Sequence, residues 1–270
     1  MIRFFLVFAF LTVQVQGFDH EYRGYREVLT AYAKEGLVDY AGLQKNRSGI
    51  DQFVQEIGSV KDAEYRAWKS EQQLAFWINT YNAWFLQIVI DRYPIQSKRL
   101  FGVFYPENSV QRISGIWDGI KTRAADREVS LNDIEHKILR VVFKEPRIHF
   151  SIVCASIGCP LLRSEPFRPD QLGSQLEDAV RSFVNNPAKV RWNESVKILE
   201  LSRIFDWFAD DFDSASDETW RKNYSKHHAG PVAFAARYLP ASVAAVLKNN
   251  RIKIEYLDYD WTLNEQKTRK

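Results

Sequence analysis

The two cysteines of the chain, Cys154 and Cys159, lie in the stretch HFSIVCASIGCPLLR, residues 149–163. Their sulfurs could form a disulfide, one of them could attack a substrate, or both could bind a metal. A disulfide needs an oxidising compartment, and a nucleophilic thiol needs a neighbouring base or positive charge. A zinc site needs four ligands, and a C-x4-C spacing with one nearby histidine offers too few. We therefore expect no metal and no cofactor.

A nucleophilic cysteine requires a base, and the sequence offers five histidines: His20, His136, His149, His227 and His228. His136 is the predicted partner of Cys154, because it points inward or to a cleft edge of a predicted helix. His149 is disfavoured, since alternation along a strand would place it on the face opposite Cys154. The amide of Asn79 or Asn82 could orient the imidazole or donate to an oxyanion.

The two asparagines lie in the most legible element, SEQQLAFWINTYNAWFLQIVIDRYP, residues 70–94. Its side chains are apolar in almost every direction, which predicts a buried helix over residues 71–93. Asn79 and Asn82 are three residues apart and share a face of that helix. Buried amides are costly unless they are hydrogen-bonded. They therefore serve either a reactive site or a structural network that holds a neighbouring loop.

The elements that must position these residues follow from the apolar pattern. RIHFSIVC alternates and predicts a strand that ends at Cys154, and SLNDIEHKILRVVFKEP predicts a helix over residues 130–146 that carries His136. Further patterns predict strands at residues 101–105, 189–192, 197–201 and 251–261. The prediction is a mixed α/β (α+β) protein with a central small sheet packed by several helices, in a single compact domain over residues 18–270.

Composition and the N-terminus narrow the class of protein. The net charge is +3 and no Lys/Arg stripe accompanies it, so we expect no nucleic-acid partner. Arg3 precedes a short apolar run, and residues 1–17, MIRFFLVFAFLTVQVQG, are typical of a signal peptide cleaved after Gly17. The run is shorter than the roughly 20 residues of a membrane span. We expect an exported protein, periplasmic or secreted, with no stable membrane span after cleavage.

Several stretches together resemble domain-of-unknown-function family 547: GLVDYAGL, LAFWINTYNA, SLNDIEHKILR, HFSIVCASIGCPLLR, RIFDWFADDF and YLDYDWTLN. The resemblance runs from Tyr25 to Asn264 and favours an exported, bacterial-type member. The family pattern includes Asn79, Asn82, His136, Cys154 and Cys159. Other members resemble cytosolic plant proteins, where reducing conditions disfavour a purely structural disulfide. The hypothesis of a nucleophilic Cys154 therefore has the same weight as the hypothesis of a structural disulfide. The resemblance implies no substrate.

Two functions are therefore predicted. In the first, the protein is a thiol-dependent hydrolase or acyl transferase: Cys154 attacks, His136 accepts its proton, and Asn79, beside Asn82, orients the imidazole or stabilises charge. Cys159 would protect Cys154 as a reversible disulfide. In the second, the protein is a non-catalytic module that binds a small molecule or a peptide, and the cysteines form a structural disulfide. A redox protein is disfavoured, because the C-x-x-C motif is absent.

Overall fold

Helices dominate the described part of the chain, which is residues 17–96 and 105–266 of a computed structural model. Residues 1–16 of the predicted signal peptide and residues 101–104 of the first predicted strand lie outside the described residues. The architecture is mixed helix and strand, so the predicted α+β class is confirmed.

The N-terminal half is built around one buried helix. The first five helices are α1 Arg23–Tyr32, α2 Tyr40–Lys45, α3 Ser48–Ser59, α4 Asp62–Ala67 and α5 Ser70–Ile90. Helix α5 confirms the predicted buried helix, because almost all of its side chains are enclosed by its neighbours. It ends at Ile90 rather than near Pro94, and its last turn is closed by the Arg92 amide, 3.0 Å from the Val89 carbonyl oxygen. No helix in residues 17–96 or 105–266 is both long and apolar enough to cross a membrane.

The predicted helix that carries His136 forms, but with a wider turn than an α-helix. Residues Asp133–Phe143 are a π-helix, a rare element that is frequently found at functional sites. Its hydrogen bonds join residue i to residue i+5, and its buried side chains are Ile134, Glu135, Ile138 and Leu139. Glu135 is therefore on the buried face, whereas His136 stays at the surface.

The predicted strand that ends at Cys154 is wrong. Residues Pro146–Phe150 form a 3-10 helix followed by a turn. The Ser151 amide donates to the Ile148 carbonyl at 2.8 Å, and the Ser151 hydroxyl donates to the Arg147 carbonyl at 3.0 Å. The alternating pattern misled because this segment is buried on both sides, His149 included. Its backbone polar groups are satisfied partly within the segment and partly by Asn82, instead of by a neighbouring strand.

Within residues 17–96 and 105–266, strands form three small sheets. Their bounds are β1 Ala33–Lys34, β2 Leu37–Val38, β3 Lys121–Ala124, β4 Arg127–Ser130, β5 Val190–Asn193, β6 Ile198–Leu201 and β7 Lys253–Tyr256. The first four make two antiparallel pairs. The last three form a sheet in which β6 pairs antiparallel with β5 and parallel with β7. The predicted hairpin over residues 189–201 is therefore confirmed, whereas the last predicted strand, over residues 251–261, forms only over Lys253–Tyr256.

The C-terminal half adds five helices: α6 Leu172–Val184, α7 Arg203–Trp207, α8 Glu218–Asn223, α9 Lys226–Ala236 and α10 Ala241–Asn249. Between α7 and α8 a 3-10 helix, Ala209–Ala215, packs against α9. Two apolar clusters result, one around α5 and one around the three-stranded sheet and α9. Ile148 and Ile152 belong to the first cluster and Phe150 to the second. The segment that leads to Cys154 therefore lies where the two clusters meet.

Candidate active site

A cavity of about 360 Å³ opens at this junction, with both cysteines in its wall. Its lining includes several large aromatic side chains: Trp117, Trp207, Phe208, Tyr259 and Trp261. Polar side chains also line it: Tyr81, Asp118, Asn132, Glu135, His136 and His149. Apolar walls with a few convergent polar groups are typical of sites that bind small molecules.

The cysteines form a disulfide, with their Cα atoms 6.1 Å apart. The Tyr259 hydroxyl lies 3.1 Å from the Cys154 sulfur and 3.2 Å from the Cys159 sulfur. The Ser156 hydroxyl lies 3.1 Å from the Cys154 sulfur. Burial raises the pKa of Tyr259, so its hydroxyl keeps its proton and can donate to sulfur. The oxidised pair offers no free thiol, and two hydroxyl donors surround the position of a Cys154 thiolate.

The turn between the cysteines is held from outside by the C-terminal segment. The Ile157 amide donates to the Thr262 carbonyl at 2.8 Å, and the Gly158 amide donates to the Asp260 carbonyl at 2.7 Å. Lys189 donates to the carbonyl of Ile157 from the other side. Burial lowers the pKa of Lys189 to about 8. The disulfide is therefore not the only constraint on this turn.

Asn82 holds the cysteine segment to α5, and Asn79 holds the following residues around Phe167. Asn82 donates to the Ser151 carbonyl at 2.9 Å and accepts from the Val153 amide at 2.9 Å. Asn79 donates to the Phe167 carbonyl at 2.7 Å and accepts from the Phe167 amide at 3.0 Å. Both asparagines are buried, and neither lines the cavity. Their amides are engaged by backbone groups, which matches the structural network that the sequence left open.

His136 lines the cavity, but one of its nitrogens is already engaged. Arg140 donates to the Nδ1 atom of His136 at 2.8 Å, and arginine has no acceptor. A neutral His136 imidazole therefore carries its proton on Nε2. Partial burial and the Arg140 charge lower the pKa of His136, which favours this neutral form. In that tautomer His136 can donate a hydrogen bond to a ligand, but it cannot accept the proton of a thiol.

His149 has the opposite arrangement. Its Nε2 atom donates to the Asp211 carboxylate at 2.7 Å, and its Nδ1 atom is buried with no hydrogen-bond partner among the described residues. Arg140 also pairs with Asp211, at 2.6 and 2.9 Å. Burial lowers the pKa of His149, which favours its neutral form. Burial alone would raise the pKa of Asp211, but the hydrogen bonds from His149 and Arg140 hold it below its usual range. A neutral imidazole oriented by a carboxylate is the usual arrangement of a catalytic base.

Glu135 is a buried carboxyl in the wall of the same cavity. The Tyr81 hydroxyl donates to one of its oxygens at 3.3 Å, and the described residues supply no other hydrogen bond to its side chain. Burial raises the pKa of Glu135 to about 7, although Tyr81 and Arg140 act in the opposite direction. A carboxyl that titrates near neutrality in a cavity is a candidate for acid–base chemistry or for binding a cation.

The structure thus brings Cys154, Cys159 and His136 together in the cavity lining, whereas Asn79 and Asn82 do not line the cavity. Sequence reasoning missed Glu135 and Asp211 as members of the site and ranked His149 below His136. Part of this site could have been identified from two stretches of the sequence. The acidic and aromatic stretches RIFDWFADDF and YLDYDWTLN supply Trp207, Phe208, Asp211, Tyr259 and Trp261. No group of three or more His, Cys, Asp or Glu side chains in residues 17–96 and 105–266 is arranged to hold a metal ion.

A comparison with family models places part of the chain in a known family. The model of "Protein of unknown function, DUF547" matches residues 65–184. No curated protein and no solved structure matches the chain. The match is narrower than the resemblance inferred from the sequence stretches. It includes both cysteines, His136, His149 and both asparagines, but not Asp211 or the aromatic residues after position 184. The predicted resemblance to this family is confirmed over the matched range, and residues 65–184 belong to the DUF547 family of proteins of unknown function.

Proposed function

We propose that the cavity is the active site of a thiol-dependent hydrolase or acyl transferase that works when the Cys154–Cys159 disulfide is reduced. The observation that carries the proposal is that His149, which is paired with Asp211, lines the same cavity as Cys154. The Nδ1 atom of its imidazole has no hydrogen-bond partner among the described residues. Nucleophile, base and orienting carboxylate are the parts that acyl transfer to a thiol requires.

The roles follow from hydrogen-bonding capacity. After a dithiol reduces the disulfide and becomes a disulfide itself, the Cys154 sulfur attacks the acyl carbon and its proton passes to Nδ1 of His149. The imidazolium, stabilised by Asp211, then gives that proton to the leaving amine or alcohol. Water or an acceptor hydroxyl cleaves the thioester, loses its proton to His149, and restores the thiol. The Nε2–H group of His136 donates to the acyl oxygen as it becomes negative.

The proposal revises the roles predicted from the sequence. Cys154 remains the nucleophile and Cys159 its reversible partner. The base becomes His149, because Arg140 leaves His136 in the donor tautomer. Asn82 becomes a positioning residue that holds the cysteine segment through its backbone, and Asn79 holds the backbone of Phe167, beyond that segment. Export to an oxidising compartment, which residues 1–17 predict, would keep the protein in its disulfide form until a dithiol reduces it.

The test measures turnover of small chromogenic acyl esters by reduced and oxidised protein. Reduced wild type and Cys159→Ser should release product, whereas oxidised wild type and Cys154→Ser should not. His149→Gln should lower kcat by about 100-fold or more, the usual contribution of a general base. His20→Gln is the matched control, because His20 also has an unpartnered Nδ1 atom but packs against Trp68 in an aromatic cluster apart from the cavity. A folded Cys159→Ser protein that neither turns over esters nor reacts with iodoacetamide would overturn the proposal.

A second candidate function is a non-catalytic module that binds a small molecule in the same cavity. The observation in its favour is the number of groups that hold the cysteine turn: the disulfide, Lys189, Asn82 and the C-terminal segment. So many constraints suit a structural turn. In this case reduction would leave ligand binding unchanged, and no variant would show thiol-dependent turnover.

A further inference from the structure

We propose that the cavity recognises an organic cation, such as an amine or a quaternary ammonium group, through its aromatic wall and the Glu135 carboxylate. The inference deepens the proposed function, because it names the substrate class of the same site. It also stands without the thiol chemistry, since the groups involved are present in the oxidised protein.

The charge of the lining is negative. Glu135 and Asp118 are acidic, and none of the described residues that line the cavity is a lysine or an arginine. Arg140 lies behind this lining and forms two hydrogen bonds with Asp211, so these two charges offset each other. His136 and His149 are favoured in their neutral forms. Among the described lining residues, no lysine or arginine therefore repels a positively charged ligand group.

The aromatic wall suits a cation that is weakly hydrated. Trp207, Tyr259 and Trp261 pack against each other with ring centroids 4.5–6.0 Å apart and form one continuous surface. Trp207 is 48% exposed, which is unusual for so large an apolar side chain. The negative faces of tryptophan rings attract cations, and quaternary ammonium groups are bound in this way. A ring wall beside a carboxylate combines this attraction with an ion pair.

The Glu135 carboxyl retains unused acceptor capacity. It is 8% exposed, and Tyr81 hydrogen-bonds only one of its two oxygens. An ionised carboxylate accepts about four hydrogen bonds, so burial with one is costly unless a ligand completes the set. An ammonium group donates hydrogen bonds and charge together, and a quaternary one supplies the charge alone.

Binding should also depend on pH in a defined direction. The titratable and charged groups around Glu135 come from its own helix, from α5, and from the segments near residues 149, 211 and 259: Tyr81, His136, Arg140, His149, Asp211 and Tyr259. Burial raises the pKa of both tyrosines, so they stay neutral, and Asp211 stays ionised. Glu135 is the group of this set whose pKa lies near 7. A cation should bind more tightly as pH rises from 6 to 8.

The test uses choline and its uncharged carbon isostere, 3,3-dimethylbutan-1-ol, with oxidised wild-type protein and tryptophan fluorescence or calorimetry as readout. At pH 8 choline should bind at least about tenfold more tightly than the isostere, which is the advantage of a desolvated cation–π contact. Glu135→Gln should weaken choline binding and remove its pH dependence while leaving the isostere unchanged. Equal binding of the two probes, or no choline binding at millimolar concentration, would overturn the inference. Because oxidised protein has no thiol, either result leaves the esterase test of the reduced protein independent.

Discussion

Replacing Asn82 with alanine separates a structural from a catalytic role for the polar stripe of α5. The side chain satisfies the Ser151 carbonyl and the Val153 amide, both on buried residues. Truncation leaves these two backbone groups without a partner, and each buried unpaired group costs about 1–3 kcal/mol. We expect a loss of roughly 4 kcal/mol in the free energy of unfolding. For a domain of this size that corresponds to a fall in Tm of roughly 8–16 °C.

The assay is urea unfolding of the oxidised proteins followed by tryptophan fluorescence. Asn79→Ala is the matched control, because Asn79 makes the same two contacts with Phe167. Both variants should lose similar stability, but only Asn82→Ala should also expose the cysteine segment to alkylation after reduction. An Asn82→Ala protein with an unchanged urea midpoint would refute this reasoning. If that stable protein had also lost ester turnover, a catalytic role for Asn82 would be favoured instead.

Three further changes probe the site and the N-terminus. Glu135→Gln should stabilise the protein by about 3 kcal/mol at pH 8, because burial raises the carboxyl pKa from 4.5 in the unfolded chain to about 7 in the folded protein, so ionisation of Glu135 opposes folding. The gain should vanish as pH falls from 7 to 4.5, because Glu135 is then protonated in the folded state and increasingly so in the unfolded state. Gly158→Ala should displace Tyr259 from the sulfurs, since the added Cβ would lie 2.7 Å from its ring, and should lower the alkylation rate of reduced Cys154, because the thiolate would lose a hydrogen-bond donor. Glu64→Gln should destabilise protein processed after Gly17, because the Phe18 nitrogen lies 2.8 Å from the Glu64 carboxylate and would then be a charged terminus.

Each of these changes has its own control. For the glutamate, urea unfolding at pH 5 and pH 8 in parallel isolates the titration, and equal effects at both values would contradict it. For the glycine, Gly173→Ala adds a methyl group with no neighbour within 4 Å and should leave alkylation unchanged. For the terminus, intact mass first establishes whether the chain begins at Phe18. A processed Glu64→Gln protein as stable as the processed wild type would rule out the ion pair.

Much of the fold was predictable because its signals are local. The burial of α5 follows from apolar side chains in every direction, and the hairpin of β5 and β6 follows from alternation on both sides of a turn. The cysteine pair could likewise be recognised as a candidate disulfide or reactive site, since its members are five positions apart. The two asparagines could be recognised as buried amides that need partners. Which partners they find, however, depends on segments 69–88 residues away.

The sequence alone therefore determined the buried helix, the mixed class and the cysteine centre, whereas only the tertiary structure decided which histidine can act as a base. His149 lies on a 3-10 helix and not on a strand, and two apolar clusters enclose its segment from both sides. Its partner Asp211 is 62 residues away, and Tyr259 is 105 residues from Cys154. Packing of the π-helix against the core leaves Glu135 buried and His136 exposed. Such pairings depend on packing between distant segments, which no local pattern encodes.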